Sequence, residues 1–466
     1  MLFNSYEFLF AFLPVVFFIY FYLNKMKLVY ASKAFLVFSS LFFYSWWNII
    51  YLPLILSSIL FNYIIGDIAR RQKNRMALVI GIVFNILLLI YFKYFDFFIE
   101  NINVAFDYNF NVLNIILPLA ISFFTFQQIA YLVDSYKSKT KEYNFLNYAL
   151  FVTFFPQLIA GPIVHHKEMM HQFSNINNKI VKYKNLALGL FIFIIGLFKK
   201  VVIADTFSVL VNNGYSRTEL LTLVEAWTTS LSYTFQLYFD FSGYTDMAIG
   251  IALLFNIKLP MNFNSPYKAI NIQDFWRRWH ITLSRFLRDY IYIPLGGNKN
   301  GNINTYSNLL ITFIVGGFWH GAGWTFLFWG FLHGLALTIN RVWQSLGYKI
   351  NNILAWFITF NFVNITWVFF RAEDFNQAVT MIERMFFSID LGLSQVTFFH
   401  GPGILTKGYI DILFIICAFI IINCKNSIEL KNNFLPNKKN LLFLALLSGL
   451  CILFLNSNSE FLYFRF

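Results

Sequence analysis

The stretch Gly316-Gly317-Phe318-Trp319-His320-Gly321-Ala322-Gly323-Trp324 lies inside a run, residues 309–339, that carries no formally charged side chain. A run of that length predicts a membrane span, because about 20 apolar residues cross the hydrocarbon core. An imidazole at membrane depth is costly and normally marks a functional site with a protein-lined or wet cavity around it. Histidine also suits proton transfer near neutral pH. We therefore predict a buried functional site at His320.

The composition indicates a chain that is embedded in a lipid membrane. Apolar residues make up 58% of the sequence, aromatic residues 21% and charged residues 12%. We predict a polytopic, all-α integral membrane protein with about 11 transmembrane helices, plus re-entrant and interfacial helices. The apolar windows are residues 8–23, 29–47, 49–66, 76–92, 111–133, 145–164, 185–203, 220–239, 247–259, 309–339, 351–370, 409–423 and 440–455. No repeat or flexible linker divides them, so residues 1–466 are predicted to form a single transmembrane domain.

Basic residues predict the orientation in the membrane. They follow the first, third and fifth windows and include Lys25, Lys27, Lys33, Arg70, Arg71, Lys73, Arg75, Lys137, Lys139 and Lys141. All of them lie on one side if the N-terminus is outside, and the positive-inside rule makes that side cytoplasmic. No basic residue precedes the first window, which predicts a retained span and not a signal peptide. Abundant Phe, Ile, Asn and Lys are typical of an AT-rich bacterial genome, so we expect the bacterial cytoplasmic (inner) membrane.

The charge balance and the cysteines exclude several classes of function. There are 35 Lys and Arg against 22 Asp and Glu. These basic residues are spread over loop ends, which indicates contact with anionic membrane lipid and argues against nucleic-acid binding. The three cysteines, Cys417, Cys424 and Cys451, have no metal-ligand spacing and lie away from every motif, so neither a zinc site nor a cysteine acyl-enzyme is expected. The histidines do not converge in sequence, and no metal site is predicted.

Residues 274–290 form the second segment whose side chains could take part in a reaction or bind a cofactor. Their periodicity predicts one amphipathic helix. One face carries Trp276, Trp279, Leu283, Phe286, Leu287 and Tyr290, and the other carries Arg277, Arg278, Arg285 and Arg288. His280 falls at the edge of the apolar face. The helix could anchor to the cytoplasmic leaflet, with His280 as a hydrogen-bonded core group. Alternatively, its arginines could attract a phosphate-rich cofactor such as coenzyme A.

The candidate cofactor-binding residues of this segment are Arg277, Arg278, Arg285, Trp276 and Trp279. Anchoring to lipid and binding of a cofactor are compatible, because the same positive face can serve both.

A polar segment, residues 236–246, contains Gln236, Asp240 and Asp246 in apolar surroundings. Polar groups at this depth normally face the interior of the helix bundle. They could form interhelical hydrogen bonds, with Asp240 or Asp246 paired to an arginine. They could instead line a polar tunnel together with Trp319 and Trp324.

The glycines near His320 also allow two interpretations. Gly316, Gly317, Gly321 and Gly323 could let substrate approach and supply N–H groups to an oxyanion. The Gly317/Gly321 and Gly330/Gly334 spacings equally favour close packing of helices. His333, 13 positions after His320, would lie on the opposite face of one continuous helix, so no pair with His320 is expected.

Four motifs in collinear order carry a family resemblance. They are residues 238–246 (YFDFSGYTD), residues 275–280 (FWRRWH), residues 290–297 (YIYIPLGG) and residues 319–324 (WHGAGW). As a set they resemble the membrane-bound O-acyltransferase family, within it the bacterial O-acetyltransferases of alginate and peptidoglycan. Residues 1–8, 118–136 and 367–372 resemble the same branch. The resemblance covers roughly residues 1–375, and residues 386–466 show no family motif.

The resemblance implies an acyltransferase fold around a central tunnel, with His320 as the essential histidine and His280 as a second, cytoplasmic-side histidine. It also implies acetyl-CoA as the cytoplasmic acetyl donor and an extracytoplasmic polysaccharide as the acceptor. A periplasmic, esterase-like partner is expected to complete the transfer. The chemistry agrees with the residues, because acyl transfer from a thioester needs a base for the attacking hydroxyl.

Three other functions remain open at this point. The motifs do not separate peptidoglycan from alginate or another exopolysaccharide, and the AT-rich composition favours peptidoglycan. D-alanylation of teichoic acid belongs to a sister branch of the same family. A non-catalytic transporter of the acyl donor is the third alternative, although no inverted repeat around broken helices supports it.

Overall fold

A computed structural model describes residues 1–138, 144–390, 409–455 and 461–462. Every regular element in these residues is a helix, so the expectation of an all-α fold is confirmed. Five helical stretches are long and apolar enough to cross a membrane: Phe8–Lys25, Ile49–Arg71, Arg75–Phe106, Tyr183–Tyr215 and Asn352–Arg371. Val29–Ser45 and Asp411–Asn423 are shorter apolar helices. These stretches make the chain a multi-pass membrane protein.

The helices are grouped into two compact units. The first unit comprises Met1–Leu197, Tyr244–Pro260 and Phe434–Leu447. The second comprises Phe198–Gly243, Met261–Asn433 and Ser448–Phe466. One helix, Leu223–Leu254, begins in the second unit and ends in the first.

The α-helices that begin in the first unit are Leu13–Lys25, Val29–Ser45, Leu52–Arg71, Arg75–Leu89, Phe95–Phe106, Ile121–Tyr136, Phe145–Thr153, Phe155–Leu158, His166–Ser174, Tyr183–Phe198 and Lys438–Phe454. Those that begin in the second unit are Asp205–Tyr215, Leu223–Leu254, Ile272–Arg278, Ile281–Leu287, Gly301–His320, Trp324–Ser345, Asn352–Arg371, Phe375–Phe387, Tyr409–Asn423 and Ser427–Asn432. Single π-helical turns at Phe8–Phe12, Ile90–Tyr94, Lys199–Ala204 and Arg288–Tyr292 adjoin six of them.

Buried amides join the helices of the first unit. Asn62 and Asn85, both fully buried, donate to each other's Oδ1 at 3.3 and 2.6 Å. Gln128 donates to Ser58 at 3.1 Å and accepts from the Tyr148 hydroxyl at 3.3 Å. Such bonds satisfy polar groups that water cannot reach in an apolar interior.

Several predicted spans differ from the helices. The windows at residues 220–239 and 247–259 form one helix, Leu223–Leu254, that runs through the polar segment. The window at residues 111–133 is helical only from Ile121, because Pro118 disfavours helix before it and Ala120 adopts a positive φ of 62°. The window at residues 145–164 is interrupted at Phe154, directly before a short helix with proline in its first turn.

The prediction of one span over residues 309–339 is also wrong. The helix Gly301–His320 ends at the histidine, and Trp324–Ser345 begins four residues later. Between them, Gly321 and Gly323 have extended backbones with φ of −158° and −166°. Glycine is the poorest helix former after proline, so this Gly-Ala-Gly sequence favours a turn. The two helices pack closely against each other, and we refer to residues 301–345 as the site hairpin.

Candidate active site

His320 is the last residue of the first helix of the site hairpin, and its side chain is buried. Its ring lies 4.8 Å from Trp319, 5.3 Å from Trp329 and 5.1 Å from Phe370, measured between centroids. All of these residues belong to the second unit. The imidazole at the hairpin turn is therefore enclosed by aromatic rings, and little water can form hydrogen bonds with its nitrogens.

The second predicted histidine lies beside the first. The ring centroids of His280 and His320 are 6.5 Å apart at an interplanar angle of 61°. His280 is fully buried and packs 4.7 Å from Phe241 and 6.3 Å from Trp319. At this separation the nearest ring nitrogens are farther apart than the roughly 3 Å of a direct hydrogen bond. The two imidazoles are therefore neighbours without a direct hydrogen bond to each other.

The prediction of one helix over residues 274–290 is wrong. The helices Ile272–Arg278 and Ile281–Leu287 are separate, and His280 lies between them with φ 42° and ψ 53°. This left-handed conformation is uncommon for a side chain other than glycine, and histidine is among the residues enriched there. It turns the imidazole inward, whereas a continuous helix would have kept it at the edge of the apolar face.

Residues 262–264 hold the break between these two helices in place. The backbone oxygen of Asn262 accepts from the Ile281 N–H at 3.0 Å, and the Asn264 N–H donates to the Arg278 oxygen at 2.9 Å. The Asn262 side-chain oxygen accepts from the Thr282 N–H at 3.2 Å and from the Thr282 hydroxyl at 2.9 Å. His280 Nδ1 lies 3.2 Å from the same oxygen. The left-handed residue is thus bracketed by hydrogen bonds on both sides.

The electrostatic environment of His280 favours a neutral ring. Burial lowers the pKa of His280 to about 3, because the charged imidazolium would lose its hydration. The pKa in the unfolded chain is higher, so the unfolded state binds more protons between the two values and stability falls as the pH falls through that interval. At neutral pH the ring is therefore neutral, with one nitrogen that donates and one that accepts.

His333 has a structural role in the same aromatic enclosure. Trp276 Nε1–H donates to its Nδ1 at 3.2 Å, and its Nε2 lies 3.1 Å from the Thr366 hydroxyl oxygen. That hydroxyl donates its own hydrogen to the Val363 carbonyl at 2.9 Å, so Nε2 carries the proton and donates to Thr366. Both nitrogens are therefore occupied by residues other than His320, and no lone pair remains for a reaction.

The candidate cofactor-binding residues divide into buried and exposed groups. The indoles of Trp276 and Trp279 are 7% and 1% exposed, and both pack within the second unit. Arg277 is exposed, and Arg285 is partly buried. Arg278 donates to Asp274 at 2.8 Å.

The candidate tunnel residues belong to both units. Gln236, Asp240 and Trp319 are buried in the second unit, whereas Asp246 is buried in the first. Trp324 is 58% exposed at the start of its helix.

The predicted arginine partner of Asp240 is wrong, because Asp240 pairs with a lysine. Its Oδ1 lies 2.8 Å from Lys200 Nζ, which also contacts Asp205 at 2.7 Å. The second oxygen of Asp240 accepts from the Leu462 N–H at 3.0 Å. In the sequence, Lys200 stands only near the apparent end of the window at residues 185–203, so nothing marked it as a buried cation.

Glycines allow the two helices of the site hairpin to touch. A Cβ added at Gly317 would lie 2.3 Å from the Phe326 carbonyl oxygen and 3.1 Å from the Gly330 Cα. A Cβ at Gly334 would lie 3.0 Å from the Leu310 Cα. The predicted close packing through Gly317, Gly330 and Gly334 is therefore confirmed.

We expect Gly317→Ala to destabilise the protein and lower its activity, because the added methyl group meets backbone atoms that cannot rotate away. Overpacking of this kind costs about 1–3 kcal/mol. Gly323→Ala is the matched control, since its Cβ would meet the Phe326 ring at an ordinary 3.5 Å and its backbone is extended. The melting temperatures of the two variants are compared by thermal unfolding in detergent. Equal melting temperatures for both variants would contradict the close packing.

Comparisons with known proteins give a consistent assignment. Residues 133–372 match the model of the membrane-bound O-acyltransferase (MBOAT) family. A peptidoglycan O-acetyltransferase of Helicobacter pylori is 49% identical over all of this chain and 98% of its own length. A probable alginate O-acetylase of Pseudomonas aeruginosa is 40% identical over 90% of this chain and 81% of its own.

A third relative is similar at lower identity and over a smaller part of this chain. A teichoic acid D-alanyltransferase of Streptococcus thermophilus is 30% identical over 54% of this chain and 68% of its own length. The region of the family match contains His280, His320 and His333. Among the described residues, no three His, Cys, Asp or Glu side chains are grouped so that they could hold a metal ion.

Proposed function

This chain belongs to the membrane-bound O-acyltransferase family, and from that premise we propose that it acetylates peptidoglycan from cytoplasmic acetyl-CoA. It is a multi-pass membrane acyltransferase. The proposed location is the bacterial cytoplasmic membrane, with the N-terminus outside and the whole chain acting as one acyltransferase domain. The acetyl group crosses the membrane and reaches the glycan through a periplasmic, esterase-like partner.

The observation that carries the proposal is the pair of buried imidazoles. His320 and His280 lie 6.5 Å apart in an aromatic enclosure within the second unit. Acyl transfer needs a proton acceptor that remains neutral at the working pH, and a shielded imidazole meets that need. A passive transporter gives no reason to place two such groups side by side.

The proposed reaction is a single acyl transfer at His320. The oxygen of the acceptor hydroxyl attacks the carbonyl carbon of the thioester while His320 accepts the hydroxyl proton. The carbon–sulfur bond breaks as the new ester bond forms, and the thiolate of coenzyme A takes the proton back from the imidazole. Apolar walls such as Trp329 and Phe370 exclude water that would hydrolyse the thioester.

The proposed donor site uses the positive face of the two short helices. Arg277 and Arg285 attract the phosphates of coenzyme A, because guanidinium groups match phosphate oxygens in geometry and charge. Arg278 contributes charge while it remains bonded to Asp274. The buried Trp276 and Trp279 remain proposed members of the donor site.

The proposed acceptor follows from a relative that is similar over all of this chain. The Helicobacter pylori protein is named a peptidoglycan O-acetyltransferase and is similar over the full chain, including residues beyond the family match. The similarity to the D-alanyltransferase covers only 54% of this chain. Peptidoglycan is therefore the favoured substrate over alginate and teichoic acid.

The amount of base-labile acetate on the purified cell wall is the measurement that tests this function. Deletion of the gene should remove the acetate that mild saponification releases from purified peptidoglycan, and a plasmid copy should restore it. Membrane vesicles given acetyl-labelled acetyl-CoA on the cytoplasmic side should move the label to an extracytoplasmic acceptor. Unchanged wall acetate with a loss of acetate from alginate, or of D-alanine from teichoic acid, would assign the other substrates. Label that crosses the membrane without thioester cleavage would indicate transport.

A further inference from the structure

Asn262 is a residue that none of the sequence motifs marked, and its side chain ends at the imidazole of His280. It is fully buried, and its Oδ1 lies 3.2 Å from His280 Nδ1. Any part that this contact plays in catalysis rests on the proposed function, because that function places His280 beside the reacting groups.

The orientation of the Asn262 amide follows from its neighbours. An asparagine amide can be turned so that either its oxygen or its nitrogen faces a given group. Here the backbone N–H of Thr282 points at the amide from 3.2 Å, and an N–H can only donate. The atom facing Thr282 must therefore be the oxygen. A flipped amide would place two donors against each other and leave both unsatisfied in a buried site.

The protonation of His280 then follows from the amide. A neutral imidazole carries one hydrogen, on either Nδ1 or Nε2. Because Nδ1 faces a carbonyl oxygen, it must be the nitrogen that carries the hydrogen, and it donates to Asn262. Nε2 is then the nitrogen with the lone pair. His333 holds the opposite tautomer, since the indole N–H of Trp276 donates to its Nδ1.

We propose that Asn262 is a positioning residue that locks His280 as the Nδ1–H tautomer, so that Nε2 can only accept. The tautomer decides which of two roles a second imidazole can have in acyl transfer. A ring with hydrogen on Nε2 would donate to the developing oxyanion of the thioester. The locked ring cannot do so, and its Nε2 can only accept a hydrogen bond from a group bound in the site, while His320 takes the proton of the attacking hydroxyl. The centroid of the ring lies 6.5 Å from that of His320.

The tautomer can be measured without any activity assay. Nitrogen NMR of the full-length protein, labelled with ¹⁵N-histidine in lipid, distinguishes protonated from unprotonated ring nitrogens, and His280→Gln identifies the His280 signals. We expect hydrogen on Nδ1 and none on Nε2 in the wild type. In Asn262→Ala the preference should weaken or reverse. Hydrogen on Nε2 of His280 in the wild type would overturn the proposal, whatever the enzyme does.

Asn364 provides a matched control. It is equally buried, in the same unit, and its Oδ1 accepts from Ser230 at 3.2 Å and Thr234 at 2.7 Å. Both variants, Asn262→Ala and Asn364→Ala, remove a buried amide, but only the first removes the partner of a histidine. Loss of the residue that orients a metal-bound histidine typically lowers activity by about 10–100-fold, and we expect a loss of similar size for the metal-free His280. We expect Asn262→Ala to lower kcat by at least about tenfold with little change in KM for acetyl-CoA, and Asn364→Ala to retain kcat.

Asn262→Asp separates positioning from folding. Its carboxylate can still accept from the Thr282 N–H and from His280 Nδ1–H, so it should keep the tautomer and restore more kcat than Asn262→Ala. An altered tautomer with unchanged kcat, or equal losses of kcat in both asparagine-to-alanine variants, would overturn the positioning role. If the wild type transfers no acetyl group at all, the proposed function fails, while the NMR measurement still decides the tautomer.

Discussion

Replacing His320 by alanine should reduce acetylation of the cell wall to the level of the gene deletion. His320 is the proposed proton acceptor for the attacking hydroxyl, and a positioned base contributes about 10²–10⁴-fold to the rate. The ring is buried among Trp319, Trp329 and Phe370, so bulk water cannot replace it as a base. The measurement is the acetate released by saponification of purified peptidoglycan, normalised to the amount of the protein in the membrane.

Two further variants separate chemistry from folding. His320→Gln keeps a polar side chain of similar size but cannot accept a proton at neutral pH, and it should be as inactive as His320→Ala. His171→Ala removes an exposed imidazole that lies 3.0 Å from the Lys167 carbonyl, and it should retain activity. Undiminished acetylation in His320→Ala at a normal protein level would refute the proposed mechanism.

The second large effect is expected on stability. Lys200→Met should strongly destabilise the protein, because it removes the cation that contacts both Asp205 and Asp240 at 2.7 and 2.8 Å. All three side chains are at most 4% exposed. Breaking a buried pair leaves a charge without its partner and typically costs about 3–5 kcal/mol. Thermal unfolding of the purified protein in detergent measures the loss.

The control for this variant is Lys268→Met, also in the second unit. Lys268 is partly exposed and donates to the neutral carbonyls of Asn423 and Cys424 at 3.1 and 3.0 Å, so its loss should lower the melting temperature much less. The triple variant Lys200→Met, Asp205→Asn, Asp240→Asn should recover part of the stability, because it leaves no buried charge. A melting temperature of Lys200→Met equal to that of the wild type would contradict a stabilising role of this ion pair.

His320 and the Lys200 ion pair belong to the same unit but have different roles. His320 performs the proposed chemistry, whereas the ion pair supports the helix that carries Asp240. Asp240 precedes Phe241, whose ring packs 4.7 Å from His280. Lys200→Met should therefore also lower activity, through the position of that ring. Its activity should recover together with stability in the triple variant, whereas no stabilising change should restore His320→Ala.

Local patterns were sufficient for some features and misleading for others. The windows at residues 351–370 and 409–423 coincide with helices to within one residue, because an apolar run in lipid must satisfy its backbone as a helix. Periodicity failed over residues 274–290 and 309–339. At the first, His280 breaks the helix with a positive φ that depends on bonds to Asn262, 18 positions away. At the second, an uncharged run appeared to be one span and proved to be a hairpin.

Composition was enough to predict a helical membrane protein, and the resemblance of short motifs to a known family indicated an acyltransferase with candidate histidines at positions 280 and 320. Composition and motifs carry this information because lipid burial and reaction chemistry each demand particular residue types. The folded chain was needed to show that the centroids of these two imidazoles lie 6.5 Å apart, that both nitrogens of His333 are hydrogen-bonded, and that Lys200 forms an ion pair with Asp240. Those outcomes depend on contacts between residues far apart in the chain, and a hydrogen bond or ion pair forms only where folding brings donor and acceptor within about 3 Å.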